Sequence, residues 1–242
     1  TLRSYEELIF QNYSFNSSTI KGILNAGVYH RSRNNFGLQY CPLCLKEDLT
    51  PYYRKFWRLT YITTCNKHDI YLLDRCPHCS APIMPHRLDM ANKTYLPKDV
   101  SLILCASCKK DLTKSISSFI PTQNELYLMK KIIHAVDYGY VELGQNKNLH
   151  SLLFFEGLRV LAQGLARINK EAWQDIPSTF ILEKSSLMLR VQLLTLVANF
   201  IQDWPNFFVL FLQKTKQPYT TFISKNKDGT APYWVYHELK SL

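Results

Sequence analysis

Two pairs of potential metal ligands stand in the stretch Cys65-Asn66-Lys67-His68-Asp69-Ile70-Tyr71-Leu72-Leu73-Asp74-Arg75-Cys76-Pro77-His78-Cys79, and each pair encloses two residues. Cys41–Cys44 and Cys105–Cys108 repeat this spacing on either side of the stretch. Two enclosed residues suit a tight turn whose ligand side chains converge on one metal ion. The pattern therefore predicts four such turns, which we call ligand hooks, in the first half of the chain.

The four hooks supply eight ligands, which is enough for two tetrahedral zinc sites with no ligand left over. The predicted zinc ligands are Cys41, Cys44, Cys65, His68, Cys76, Cys79, Cys105 and Cys108. Four protein ligands around each ion are typical of structural zinc, because catalytic zinc keeps one position open for water or substrate. We therefore expect two structural zinc ions per chain.

Two other uses of these cysteines fit the sequence less well. A disulfide framework is disfavoured because the seven cysteines are odd in number and the chain shows no secretory signal. Redox chemistry typically uses a single Cys-x-x-Cys motif that opens a helix beside a βαβ pattern. Structural zinc is the interpretation that uses every ligand.

Either of two pairings of the hooks would form two zinc sites. Sequential pairing joins the first hook to the second and the third to the fourth. Cross-braced pairing, as in RING domains, joins the first to the third and the second to the fourth, and normally leaves very few residues between the second and third hooks. Because residues 69–75 separate His68 from Cys76, we favour sequential pairing and two tandem ribbon-like units.

Positive charge points to a polyanionic partner. The chain has 29 Lys and Arg against 19 Asp and Glu, a net charge of +10, and such cations neutralise phosphates with release of counterions. The candidate nucleic-acid contacts are Arg31 and Arg33 on a predicted loop, and Arg54, Lys55 and Arg58, which are interleaved with two aromatic residues. For the second group, the alternative is a strand that buries its aromatic side chains and leaves its cations in water.

Helical patterns dominate after Pro121. A capping-box pattern at Thr122 and Glu125 predicts the start of the first helix. The apolar face predicted for this helix consists of Leu126, Met129, Ile133 and Val136. Further helices are predicted over about 149–168 and 186–202 and from Pro205 onward. The corner Asp203-Trp204-Pro205 is compatible with a helix-turn-helix, and also with simple packing of two helices.

The predicted fold is mainly α-helical with small zinc-ribbon β elements. We expect an N-terminal helical segment at residues 1–36, tandem zinc-binding units at 37–114, and a helical domain, with a helix-turn-helix as one interpretation, at 115–242. Alternation of Trp57, Leu59 and Tyr61 predicts a strand in the middle region. The longest apolar run, at 187–201, is too short and too polar to span a bilayer, so no membrane partner is expected. Because the chain opens at Thr1 without a methionine, we expect its natural N-terminus to lie upstream.

The residues around the hooks resemble those of a known family. The segments that carry the resemblance are Gly37-Leu38-Gln39-Tyr40-Cys41-Pro42-Leu43-Cys44, Pro51-Tyr52-Tyr53-Arg54-Lys55-Phe56-Trp57-Arg58-Leu59 and Leu72-Leu73-Asp74-Arg75-Cys76-Pro77-His78-Cys79. They resemble the TniQ/TnsD family, the target-selection proteins of transposons that carry an AAA+ ATPase regulator. The resemblance is dense over about residues 20–115 and thinner beyond, where Gln202-Asp203-Trp204-Pro205 with Phe207 and Phe208 resembles the family's helical part and implies a TniQ-like domain at 115–242.

The resemblance implies a non-catalytic adaptor rather than an enzyme. Such an adaptor recognises target DNA directly, or a guide-RNA complex already on DNA as in CRISPR-associated transposons, and recruits the AAA+ ATPase that brings the transposase. It also implies a bacterial cytoplasmic protein that associates with the nucleoid during targeting, and it admits a homodimer. Composition and ligand spacing by themselves support only a basic, helix-rich binding module with two zinc ions.

Three other functions compete with this interpretation. A cross-braced zinc ubiquitin ligase would need the first hook to share a zinc ion with the third, and the second hook with the fourth. A zinc-dependent nuclease would need carboxylates or histidines around an open metal, whereas Asp69, Asp74 and Asp89 are scattered along the chain. A stand-alone transcription factor with structural zinc would bind one DNA sequence without any partner.

Overall fold

The computed structural model describes residues 21–24, 38–88, 101–114, 119–169, 180–223 and 231–240. These residues fall into two compact units. The cysteine unit comprises the described parts of Phe15–Pro121 together with Glu183–Leu187, and the helical unit comprises the described parts of Thr122–Leu182 and Met188–Leu242. Most of the N-terminal segment predicted at residues 1–36 lies outside the described residues.

Short turns rather than long strands build the cysteine unit. Among the described residues of this unit, helix α1 runs over Pro42–Glu47, with proline at the first helical turn where no backbone donor is lost. Short 3-10 helices follow at Lys55–Arg58, Pro85–Arg87 and Leu112–Lys114. In the described part of this unit, β pairing is limited to isolated bridges. The strand predicted over Trp57, Leu59 and Tyr61 is therefore wrong, because Trp57 lies in a 3-10 helix, Leu59 makes an isolated bridge and Tyr61 lies in a turn.

Large aromatic side chains fill the core of the cysteine unit. Tyr40, Trp57 and Tyr61 are each at most 1% exposed. Beside them, Gln39 is 1% exposed, and its amide Nε2 donates to the carbonyl of Ile62 at 2.6 Å, so the buried amide keeps a partner. Five of the seven cysteines of the hooks, Cys41, Cys44, Cys65, Cys76 and Cys105, are buried together with this aromatic core.

A five-residue segment from the second half of the chain belongs to the cysteine unit. In this segment, Glu183–Leu187, the carboxylate of Glu183 accepts from the backbone N–H of Gly22 at 2.6 Å. The backbone N–H of Leu187 donates to Asp74 Oδ2 at 2.8 Å. These bonds join residues more than a hundred positions apart, which is why no local pattern in the sequence predicts them.

The described residues of the helical unit form a long helix pair, a hairpin and three later α-helices. Helix α2 spans Gln123–Tyr138 and is followed by strands β1 (Tyr140–Leu143) and β2 (Asn146–His150), which pair antiparallel. Helix α3 then spans Ser151–Ile168. Helices α4 (Leu187–Gln202), α5 (Asn206–Thr215) and α6 (Tyr233–Lys240) complete the described part.

The helices predicted after Pro121 are confirmed. On α2, the face that is buried differs from the face that the sequence predicts. The capping box is present: Thr122 accepts from the backbone N–H of Glu125, whose carboxylate accepts in return from the backbone N–H of Thr122. The apolar residues buried on this helix are Leu128, Met129, Ile132 and Ala135. Only Met129 of the predicted face is fully buried, because the helix packs on β1 and α3 from a slightly different side.

The corner between α4 and α5 is a packing element. Trp204 is 7% exposed, and its ring stacks on Phe208 with centroids 5.2 Å apart and meets the edge of Trp234 at 4.7 Å. These contacts use the corner for core packing. In the part of the chain that the structure describes, no helix combines the length and apolar character needed to cross a membrane.

Candidate metal centres

The eight predicted ligands lie in two groups. The first centre is Cys41, Cys44, Cys65 and His68, and the second centre is Cys76, Cys79, Cys105 and Cys108. Within each group the ligand atoms all lie within 4.8 Å of one another. This grouping follows the sequential pairing and not the cross-braced one.

Distances in the first centre fit a tetrahedral zinc ion. The Nδ1 atom of His68 lies 3.4, 3.4 and 3.6 Å from the sulfur atoms of Cys41, Cys44 and Cys65, and the last two sulfur atoms are 3.5 Å apart. With zinc–ligand bonds of about 2.3 Å to sulfur and about 2.0–2.1 Å to nitrogen, tetrahedral ligands lie about 3.8 Å (S to S) and about 3.6 Å (S to N) apart. The separations in the first centre are therefore close to those of a tetrahedral zinc site.

Distances in the second centre fit as well. The sulfur atoms of Cys76 and Cys108 are 3.7 Å apart, as are those of Cys79 and Cys105. These separations agree with the value of about 3.8 Å for four thiolates around zinc. The two centres differ in exposure, because Cys79 is exposed and Cys108 half-buried, whereas every cysteine of the first centre is buried.

Three of the hooks share one backbone design. In the hook Cys105–Cys108, the carbonyl of Cys105 accepts from the N–H of Lys109 at 2.9 Å, and the N–H of Cys105 donates to the carbonyl of Lys110 at 2.9 Å. The hooks Cys65–His68 and Cys76–Cys79 repeat both bonds at 2.8 to 2.9 Å. The repeated turn aims the two ligands of each hook at one point.

The residue after each of these hooks has a left-handed backbone. Asp69, Ser80 and Lys109 have φ angles of 50°, 55° and 59°. This region favours glycine, and other residues occupy it at a cost of about 1–2 kcal/mol. The surrounding hydrogen bonds hold these residues there, so the turn geometry is imposed by the fold rather than by glycine.

The first hook has a different geometry, because it opens helix α1. Cys41 is the N-cap residue, and its sulfur accepts from the backbone N–H of Cys44 at 3.4 Å. A contact with Cys65 raises the pKa of the Cys41 thiol and outweighs the backbone N–H of Cys44, which acts in the opposite direction. The first centre is therefore built from one helix start and one turn.

A carboxylate that no sequence pattern singled out contacts the histidine of the second hook. Glu47, the last residue of α1, places its Oε2 atom 2.9 Å from Nε2 of His68. That contact puts the imidazole proton on Nε2 and leaves Nδ1 free to face the three thiols. Carboxylate partners of this kind orient metal-binding histidines and raise their basicity.

Burial and sulfur contacts shift the pKa values of several thiols in opposite directions. Burial raises the pKa of Cys44 to about 11 and that of Cys76 to about 12. A hydrogen bond between Cys41 and Cys65 raises the pKa of Cys41 and lowers that of Cys65 to about 5. The backbone N–H of Lys110 lowers the pKa of Cys108 to about 7. A metal that binds these groups must therefore displace protons from some thiols and not from others.

The structure describes three of the five residues that the sequence analysis proposes as nucleic-acid contacts. Arg54 makes two hydrogen bonds to the Asp48 carboxylate at 3.0 and 2.9 Å, and Arg58 donates to the carbonyl of Leu24 at 3.2 and 2.8 Å. Both guanidinium groups therefore help to hold the cysteine unit together. Lys55 is exposed. Arg31 and Arg33 lie outside the described residues, and nucleic-acid contact by this set stays a prediction.

A comparison with protein families links the first centre to a known domain. Residues 3–72 match the family model described as TniQ. The matched region contains all four ligands of the first centre and ends before Cys76. No curated protein matches the chain, and no solved structure matches it.

Proposed function

We propose that this chain, a TniQ-family protein through the domain at residues 3–72, is a non-catalytic target-selection adaptor of a transposition system. A TniQ domain fits that role in general. In the adaptor we propose, recognition of the target and recruitment of the next protein are both binding steps. The chain itself breaks no covalent bond.

The observation that carries this proposal is that the region matching the TniQ family model, residues 3–72, contains a candidate metal centre with four protein ligands. Four protein ligands leave a zinc ion no open position for substrate, so the ion would act as a cross-link. Cys41, Cys44, Cys65 and His68 would hold one ion and the four cysteines of the second centre another. Zinc at these sites would keep the hooks at fixed positions and give the cysteine unit a rigid surface for partners.

The partners we propose are target DNA or a guide-RNA complex bound to it, and the AAA+ ATPase of the same transposon. The net charge of +10 supports a nucleic-acid partner. We place the protein in the bacterial cytoplasm, at the nucleoid during targeting, and include a homodimer among its working forms. The sequential grouping of the ligands does not support the cross-braced ubiquitin ligase.

Capture of the ATPase tests this proposal. The zinc-loaded full chain is immobilised and incubated with the AAA+ ATPase encoded beside it, with and without target DNA. We expect retention of the ATPase, and more of it when target DNA is present. Cys41→Ser with Cys65→Ser should abolish retention because it dismantles the first centre, whereas Lys46→Ala on the exposed surface of α1 should not. A folded, zinc-loaded chain that retains no ATPase under either condition overturns the proposal.

A further inference from the structure

Helix α6 has one buried face and one exposed face. Trp234, Val235 and Leu239 are at most 3% exposed. The exposed residues recur at helical spacing and form what we call the α6 stripe: Tyr233, Tyr236, His237 and Lys240. The stripe is therefore continuous along the helix, and its side chains are aromatic or cationic.

The buried face fixes the position of the stripe. The indole N–H of Trp234 donates to the carbonyl of Leu153 at 2.8 Å, and the ring lies against Gly157, where an added Cβ would overlap Cζ2 of Trp234. The same ring meets Trp204 edge-on at 4.7 Å. These contacts hold the backbone of the helix in place, so the side chains of the stripe project from a fixed position.

The side chains of the α6 stripe are suited to stack on a nucleotide base and to contact a phosphate group. Its four residues lie together on an open part of the surface. Tyr233 and Tyr236 are 53% and 39% exposed, and the Lys240 ammonium lies 4.9 Å from the centre of the Tyr236 ring. None of the four residues carries a carboxylate, although Glu238 lies beside them, 3.2 Å from Nδ1 of His237.

We propose that the α6 stripe binds single-stranded DNA, with bases stacked on Tyr233 and Tyr236 and a phosphate near Lys240. Aromatic rings beside a cation are the usual means of holding unpaired nucleotides, because every base has a face that can stack. A duplex keeps its bases stacked on one another and offers none to the rings. An acidic peptide would use the cation but not the two ring faces.

This inference rests on the proposed function and restricts the proposed target to DNA that a guide RNA has opened. An RNA-guided complex displaces one DNA strand when it pairs with its target. A stripe that binds this strand would let the adaptor recognise a target that the guide has already opened. The partner class is therefore single-stranded DNA next to a guide-RNA heteroduplex, rather than an intact duplex site.

Binding of a labelled 20-nucleotide DNA strand to the zinc-loaded full chain, followed by fluorescence anisotropy, tests the proposal. The same sequence is supplied as duplex DNA and as single-stranded RNA. Tyr233→Ala with Tyr236→Ala should weaken binding of the DNA strand by about tenfold to a hundredfold, and Lys240→Ala should lower the salt slope by about one. The double change to phenylalanine should retain binding. Tyr138→Ala, at a tyrosine that is 67% exposed elsewhere in the helical unit, is the control.

Three outcomes overturn the proposal: equal binding of duplex and single strand, preference for RNA, or unchanged affinity of the alanine variant. Melting curves check that each variant is folded. Capture of the ATPase by the stripe variants keeps this proposal separate from the proposed function. Lost strand binding with intact capture supports the stripe, whereas intact strand binding without capture contradicts only the adaptor role.

Discussion

Glu47 and His68 form a contact that links the end of helix α1 to the second hook, with Glu47 Oε2 2.9 Å from His68 Nε2. The opposite ring nitrogen, Nδ1, faces three thiols at 3.4 to 3.6 Å. The carboxylate thus sets which nitrogen carries the proton. The first centre is therefore a five-residue assembly, of which the ligand spacing predicts four.

Glu47→Ala should weaken zinc binding at the first centre by about tenfold to a hundredfold, because the histidine loses its orienting partner. Lys67→Ala is the matched control, since Lys67 contacts the same carboxylate at 2.7 Å but is an exposed ion-pair partner rather than a ligand. Competition with a chromophoric chelator measures both affinities. Equal affinity in the wild type and Glu47→Ala would show that the contact does not position the ligand.

Ser80→Gly and Lys109→Gly should each raise the free energy of unfolding by about 0.5–1 kcal/mol, because glycine adopts a left-handed backbone without strain. The control is Ser107→Gly, which lies inside the fourth hook and has no positive φ. Glycine should destabilise the protein at that position. Thermal unfolding of the zinc-loaded chain gives the three values. A loss of stability in both Ser80→Gly and Lys109→Gly contradicts the backbone assignment.

Gly157→Ala should destabilise the helical unit by about 1–3 kcal/mol, because the new methyl group would overlap the ring of Trp234. Helix propensity alone predicts the opposite, a gain of about 1 kcal/mol, so the sign of the change decides between packing and propensity. Gln163→Ala, at a half-buried position of the same helix, should change stability by less than about 0.5 kcal/mol. Chemical denaturation measures both. A stabilised Gly157→Ala variant would rule out the close approach.

Zinc binding to the first centre at pH 7 should release about two protons rather than three. Cys41 and Cys44 have raised thiol pKa values and are protonated before binding, whereas Cys65, with a pKa of about 5, is already a thiolate. Zinc affinity should therefore fall as the pH is lowered. Calorimetry in buffers of different ionisation enthalpy counts the protons, with the second centre removed by Cys76→Ser and Cys79→Ser. Release of three protons, or of none, contradicts the assignment.

The eight ligands could be read from the sequence because a zinc hook is local: its two ligands and its turn lie within a few residues. Glu47 could not, since its role depends on how α1 meets a hook that starts at Cys65. The long helices were also predictable, from the capping box at Thr122 and from apolar spacing. The hairpin of β1 and β2 was not predicted, although Gly139 directly precedes β1 and Gly144 lies in the turn between the strands, both with positive φ. Helix α6 is only eight residues long, too short for its periodicity to stand out.

The pairing of the hooks is the central structural claim, and zinc stoichiometry tests it most directly. Elemental analysis of the purified wild type should give two zinc ions per chain. The decisive variant is Cys41→Ser with Cys65→Ser, which removes one ligand from each of the first two hooks. Sequential centres predict that one zinc ion remains, held by Cys76, Cys79, Cys105 and Cys108. Retention of no zinc in a folded variant would mean that the hooks are cross-braced, and fewer than two ions in the wild type would contradict the paired centres altogether.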